Sequence, residues 1–444
     1  RLNTSGGSQT AMGYNALWAN TTGSSSTAFG YQALRSQTTA TGNVGVGYRS
    51  TYLTTTGNYN TGVGYETLRT NVTGSNNTGL GYQAGYYSTG AHNTLIGAQA
   101  GTSVTTGGYN TLLGSKAGEK VTTGSYNVAL GYDSMGASAG VTGSNNVALG
   151  REAGTSLTTG GQNIAIGRNS LDARTTGSSA IAIGTDAGGA YTGTNQFVAI
   201  GHGAFDNSGG MVESVGVGNG VGGSMTSGQW NVFVGHNAAQ SRASGSNNIF
   251  MGYNSGSGSS ASGDNNTGIG HQSTRTQTTG ANNTALGYQT LYYNTTGANN
   301  VAVGYFALFQ GTTASHNVAV GLDAGKNTTT GAENTFVGGW AGRYNTTAGY
   351  NTSLGFQALE GVSSGSTGSN NVALGAAALE SYTTGSYNTA IGRAAGDTIT
   401  TGQRNIIIGY NADASSATVS DEITIGNASV TRFRIPGIGL DWTA

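Results

Sequence analysis

One glycine recurs along the chain at a nearly constant interval, and that interval restricts the fold more than any other feature. It stands at 13, 30, 47, 64, 81, 97, 114, 131, 150, 167, 184, 201, 218, 235, 252, 270, 287, 304, 321, 338, 355, 375, 392, 409 and 426. Of the 24 intervals, 20 are 17 residues, and the others are 16, 18, 19 and 20. A disordered low-complexity tract has no reason to hold such a period, so the constraint is three-dimensional. The chain starts inside a repeat, because Asn3–Gly6 matches the turn Asn20–Gly23. That start, at Arg1 and not at Met, points to a longer parent.

Positions are numbered from this anchor glycine. At −3 all 25 repeats carry Thr, Val or Ile, as at Thr10, Val128, Ile164 and Ile406. At −1 all carry Met, Phe, Val, Leu or Ile, as at Met12, Phe29, Leu286 and Ile425. Between them is a mostly small residue, such as Ala129, Ala165 or Gly62. Alternate residues of a strand share a face, so −3 and −1 form one β-branched, apolar face. The small −2 column lets backbones approach closely, and is assigned to contacts between chains. At −4, 19 of 25 repeats carry Asn, including Asn43, Asn60, Asn77, Asn127, Asn283, Asn300 and Asn317. Stacked amides can hydrogen-bond along such a column, so a structural ladder is expected in preference to a ligand-binding row. After the anchor comes a small residue at +3, then a Thr-Thr-Gly unit, as at Thr21–Gly23, Thr105–Gly107, Thr158–Gly160, Thr278–Gly280 and Thr400–Gly402. This reads as a second short strand ended by a positive-φ turn.

Each repeat is therefore one coil, and the chain an all-β parallel β-solenoid, or β-roll, of about 25 coils. At about 4.8 Å per coil the predicted rod is about 120 Å long. A lone coil cannot bury enough surface to fold, so stability must come from stacking. Residues 1–426 form the shaft. Residues 427–444 (NASVTRFRIPGIGLDWTA) leave the period and read as a cap on the last coil or a junction to a missing domain. The single Pro, Pro436, falls there, where it breaks no ladder.

Composition removes other classes. With 0 Cys there is neither a disulfide framework nor a thiolate site. A net charge of −1, with 17 Lys and Arg in 444 residues, argues against a nucleic-acid binder. No apolar run approaches the roughly 18 residues of a spanning helix, so no membrane insertion is expected.

The segments NVALGYDSM (127–135), NTALGYQTL (283–291) and NVALGAAAL (371–379) resemble the head repeats of trimeric autotransporter adhesins. The longer form, with GYxAL and TTGxNN, is similar to repeats in bacteriophage tail fibres, notably marine ones. The resemblance spans residues 3–426. It implies a left-handed roll, a homotrimer and an extracellular or virion location. It also implies a structural fibre shaft that supports host attachment alongside other fibre or virion proteins. The 17-residue period is longer than the usual adhesin repeat and favours the fibre reading.

Candidate chemistry is sparse, and neither an enzyme nor a cofactor is expected. His202, His236 and His271 share position +1, while His92 and His316 share −5, so the five histidines are column variants and not a metal constellation. Asp206 and Glu213, in the irregular stretch 196–230, are the nearest approach to a glycosidase pair. Tyr fills +1 in ten repeats, including Tyr14, Tyr31, Tyr48, Tyr65, Tyr82, Tyr288 and Tyr305. Such a column can meet host-surface glycans or a neighbouring chain. The alternatives to a shaft are thus an adhesin that binds glycans along its length, or an ice-binding solenoid presenting Thr rows.

Overall fold

The computed structural model describes residues 4–207, 209–435 and 440–443. Their regular structure is all β: 25 short strands stack in parallel, one per coil, as a β-solenoid with a period of about 17 residues. The chain divides into two compact units, Arg1–Gln229 and Trp230–Ala444. In the first, strand Thr10–Met12 pairs with Thr27–Phe29, and this with Val44–Val46, at identical repeat positions. In the second, Thr284–Leu286 pairs with Val301–Val303, and this with Val318–Val320, in the same register.

Most coils contain one three-residue strand and no second one. Thr-Thr-Gly is a bend, not a strand. It is held to its neighbours by hydrogen bonds to the next coil, such as Thr278 N–H to the Thr295 carbonyl at 2.9 Å. The threonine hydroxyl donates to the same carbonyl, also at 2.9 Å. The Gly of this unit does not have positive φ. Glycine is used because a Cβ on Gly280 would lie 2.4 Å from the Gly297 carbonyl oxygen of the next coil. Ala40, Ala314, Ala348 and Val419 occupy the same column, so it favours small residues without requiring glycine in every coil.

The larger correction concerns which face is inside. The −2 column, expected to meet other chains, lines the interior of its own coil: Ala28, Ala129, Ala165, Ala302 and Phe336 are fully buried. The β-branched and apolar −3 and −1 columns point outward. Met12 is 63% exposed, Phe29 51% and Leu354 54%.

The interior is narrow, and its volume is shared between −2 and +4. At Ala285 and Ala302, +4 is Leu291 or Leu308, also buried. At Leu95, Leu112, Phe250 and Phe336, +4 is glycine. A Cβ on Gly342 would lie 2.3 Å from the Phe336 ring, and one on Gly118 would lie 2.7 Å from Leu112. Close packing favours such volume-conserving exchanges in these coils. Except in the last two coils, residue +4 is left-handed whatever its type, with φ of 47° at Leu291 and 60° at Gly342. That conformation lets +3 and +4 both turn inward although they are adjacent in sequence.

After the last strand, Arg432–Ile435 and Leu440–Thr443 form a separate two-stranded antiparallel sheet. Among the described residues, strand Ile423–Ile425 pairs only with Ile406–Ile408, so the tail does not continue the ladder. Pro436 lies outside the described residues.

Candidate functional surfaces

The Asn column is internal. Asn43, Asn60, Asn77, Asn127, Asn300 and Asn317 are wholly buried, and Asn283 almost so. Most rungs make the same set of bonds. The Asn300 backbone N–H and Nδ2 both donate to Asn283 Oδ1, each at 3.0 Å. Asn300 Nδ2 also donates to the Ala314 carbonyl at 2.8 Å. Asn300 Oδ1 in turn accepts from the N–H and Nδ2 of Asn317, at 3.0 and 3.2 Å. Every polar atom of the rung is occupied by protein, so the row has no capacity left for a ligand.

In the first unit Ala180 takes the rung position, and Asn163 Oδ1 still accepts its N–H at 3.0 Å. The donor that Ala180 lacks comes from Arg174, fully buried at +7. Its guanidinium donates to the carbonyls of Thr194 (3.2 Å), Asn195 (3.1 Å) and Ser178 (3.1 Å). It also packs on Tyr191 and Phe197. Burial holds Arg174 below the usual arginine range. Arg242 is likewise buried in the second unit, donating Nη2 to the Gly263 carbonyl at 2.6 Å, although Asn248 keeps its place in the ladder there. Burial lowers Arg242 to about 10. Sequence reading missed both, because a lone Arg in a polar repeat carries no sign of burial. Arg174→Val should lower stability by about 1–3 kcal/mol, since three partly buried carbonyls lose their donor. Adding Ala180→Asn should restore most of that loss by completing the ladder, and urea midpoints of the single and double variants test this.

The tyrosine column lies on the outside. Tyr14, Tyr31, Tyr48, Tyr65 and Tyr82 stack ring on ring, with centroids 5.0–5.5 Å apart and planes within 13°. In the second unit His236, Tyr253, His271, Tyr288 and Tyr305 continue the pattern at 5.0–5.4 Å. Within a stack each ring face meets a neighbouring ring, leaving edges and hydroxyls outward. A sugar platform needs a free face, and only the end rings of each stack keep one. The −5 column repeats this in part, with His92 over Tyr109 at 4.6 Å and Tyr109 over Tyr126 at 4.9 Å.

His316 meets Asn299 at 3.1 Å. Among the described residues no group of three His, Cys, Asp or Glu could hold a metal ion. Asp206 and Glu213 have different surroundings. Asp206 feels Asp186, and burial pushes its carboxyl up. Glu213 lines a shallow depression of about 220 Å³ with Ser179, Gln196 and Ser214. The Asp206 side chain is not part of that depression.

An acidic pair that the sequence reading passed over closes the second unit. Burial, and then Asp413 beside it, push Asp397 up to about 6. A carboxyl whose folded pKa exceeds its unfolded value binds more protons when folded. Its penalty is absent below about pH 3.8 and fully present above about pH 6. Stability of the second unit should therefore rise as pH falls from 7 to 5. The gain should stay below about 1 kcal/mol, because water screens the pair, and Asp397→Asn should abolish it in thermal melts across that range.

No helix among the described residues is long and apolar enough to cross a membrane. No protein-family model matches the chain, and no curated protein matches it.

Proposed function

We infer that the chain is the shaft of a surface or virion fibre that supports host attachment, and that three copies pack through their strand faces. A β-solenoid of short identical coils suits a fibrous or adhesin-like structural role. One observation carries the finer reading: the −3, −1 and +1 columns place Thr, Val, Ile, Leu and Tyr outward on successive coils. Leu80, Leu130, Leu286, Tyr288 and Ile391 are all exposed in the single chain. A stripe about 13 Å wide along a dozen coils of about 4.8 Å covers about 750 Å². That matches the roughly 800 Å² per partner of a stable interface and exceeds what a lone chain usually leaves open. The same columns repeat on every copy, so three such faces can meet around a common axis. The small −2 column plays no part in this, being consumed inside each coil.

Sedimentation equilibrium of the chain tests the reading, with a mass three times that of the chain expected. The pair Leu286→Lys and Leu354→Lys should drive the assembly to monomers without loss of the circular-dichroism spectrum. A parent chain that stays monomeric at high concentration overturns the trimer.

A further inference from the structure

In the first unit the +5 column alternates rings with guanidinium groups: Trp18, Arg35, Tyr52, Arg69, Tyr86. Arg35 lies 5.4 Å from the centroid of Trp18 and 5.6 Å from that of Tyr52. Arg69 lies 5.7 Å from Tyr52 and 5.1 Å from Tyr86. Arg35 Nη1 donates to the Tyr52 hydroxyl at 2.8 Å, and Arg69 Nη1 donates to that of Tyr86. Arg49 reaches the same Tyr52 ring at 5.6 Å, with Nε held by Gln32 Oε1 at 3.0 Å. Three cations are thus fixed along one stripe.

Their charge is poorly balanced. Glu66 pairs with Arg69 at 3.3 Å, and no Asp or Glu precedes Glu66 in the sequence. Among the described residues Arg35 and Arg49 have no ion-pair partner. Rings cover the guanidinium faces of Arg35 and Arg69 and their Nε atoms are buried, so their binding surface is the outer Nη1–Nη2 edge. That edge suits two-point contact with a planar or tetrahedral oxyanion, and its ordering cost is already met by the stack. Both faces of Tyr52 are occupied, so it cannot serve as a base-stacking platform of the kind single-stranded nucleic acids use. Arg35 and Arg69 are two coils apart, about 9.6 Å, a spacing suited to a polysaccharide with one acidic group per disaccharide.

We propose that the Trp18–Tyr86 column binds an extended anionic polysaccharide, with Arg35 and Arg69 on the carboxylate or sulfate groups of successive disaccharides. Arg49 adds positive charge beside them. Arg35 and Arg69 lie outside the −3, −1 and +1 columns.

Isothermal titration of the whole chain tests this with four probes: a hyaluronan decasaccharide, a chondroitin sulfate decasaccharide, neutral chitopentaose, and a thymidine oligonucleotide of equal charge. Hyaluronan carries only carboxylates, so comparison with chondroitin sulfate separates the two acidic groups. At least one acidic glycan should bind, the neutral one should not, and affinity should fall as salt rises. Arg35→Gln with Arg69→Gln should weaken binding at least tenfold, whereas Arg151→Gln with Arg168→Gln should leave it unchanged. The milder pair Arg35→Lys and Arg69→Lys keeps the charge, and should weaken binding at least threefold by removing the planar fork. Four results would each overturn the proposal: no binding of either acidic glycan, full binding by the Gln pair, full binding by the Lys pair, or equal affinity for the oligonucleotide.

Discussion

Gly287→Ala is expected to unfold the coils on either side of it. The anchor has φ of +136°, a region that residues with a Cβ rarely enter. A Cβ there would lie 2.1 Å from the Gly304 carbonyl oxygen and 2.8 Å from its carbon. Both are backbone atoms, so no rotamer change can relieve the overlap. The coils would have to separate, breaking the bond from Gly304 N–H to the Leu286 carbonyl. The combined cost is about 4 kcal/mol or more. In a linear array the damage stays near its origin, so hydrogen exchange should speed up around strands Thr284–Leu286 and Val301–Val303. It should stay slow at Thr94–Ile96. Thr279→Ala, at an exposed bend position, should change the urea midpoint by no more than about 0.5 kcal/mol equivalent. Equal behaviour of the two variants would show that the anchor column is not limited by contact between coils.

The second large effect is expected at the buried amides. Asn300→Ala removes a donor to the Ala314 carbonyl and an acceptor for two N–H groups of Asn317, all inside the coil. Each group left unsatisfied costs about 1–3 kcal/mol, so a loss of about 3–5 kcal/mol is expected. Asn300→Asp separates shape from chemistry. It keeps the acceptor but turns an oxygen toward Asn283 Oδ1 and the Ala314 carbonyl, and it buries a charge. At pH 7 it should destabilise at least as strongly as Ala. Lowering the pH should recover part of the loss, because the protonated acid regains a donor. Urea unfolding of both variants at pH 7 and pH 4.5 measures this. A small, pH-independent loss in both would mean that the ladder is not the source of stability between coils.

How much of this was legible in the sequence depends on the column. Chain length between anchors is a backbone property, so the 17-residue period, the strand at −3 to −1 and the parallel register could all be read directly. The Asn column was legible as a stacked row, although its complete burial was not. The inside of the coil was misread because the small −2 column was assigned to contacts between chains, which left the interior to larger side chains. A 17-residue ring is too narrow for that. It accepts Ala at −2 with Leu at +4, or Phe336 with Gly342, and leaves Leu286 and Ile391 outside.

The left-handed residues at +2, +4 and −5 were invisible for a related reason. Their residue types differ from coil to coil, as with Gln289, Leu291 and Tyr126, because stacking on neighbouring coils, not glycine, holds the backbone there. The Arg35–Tyr52–Arg69 stack escaped notice because its members are 17 residues apart and no local motif joins them. The sequence by itself determined the coil, its length and its direction of stacking, since all three follow from repeated backbone spacing. Only the tertiary structure decided which columns face in, which rings hide their faces, and which cations lack partners. Those depend on the width of the coil interior and on contacts between coils, and no single repeat contains either.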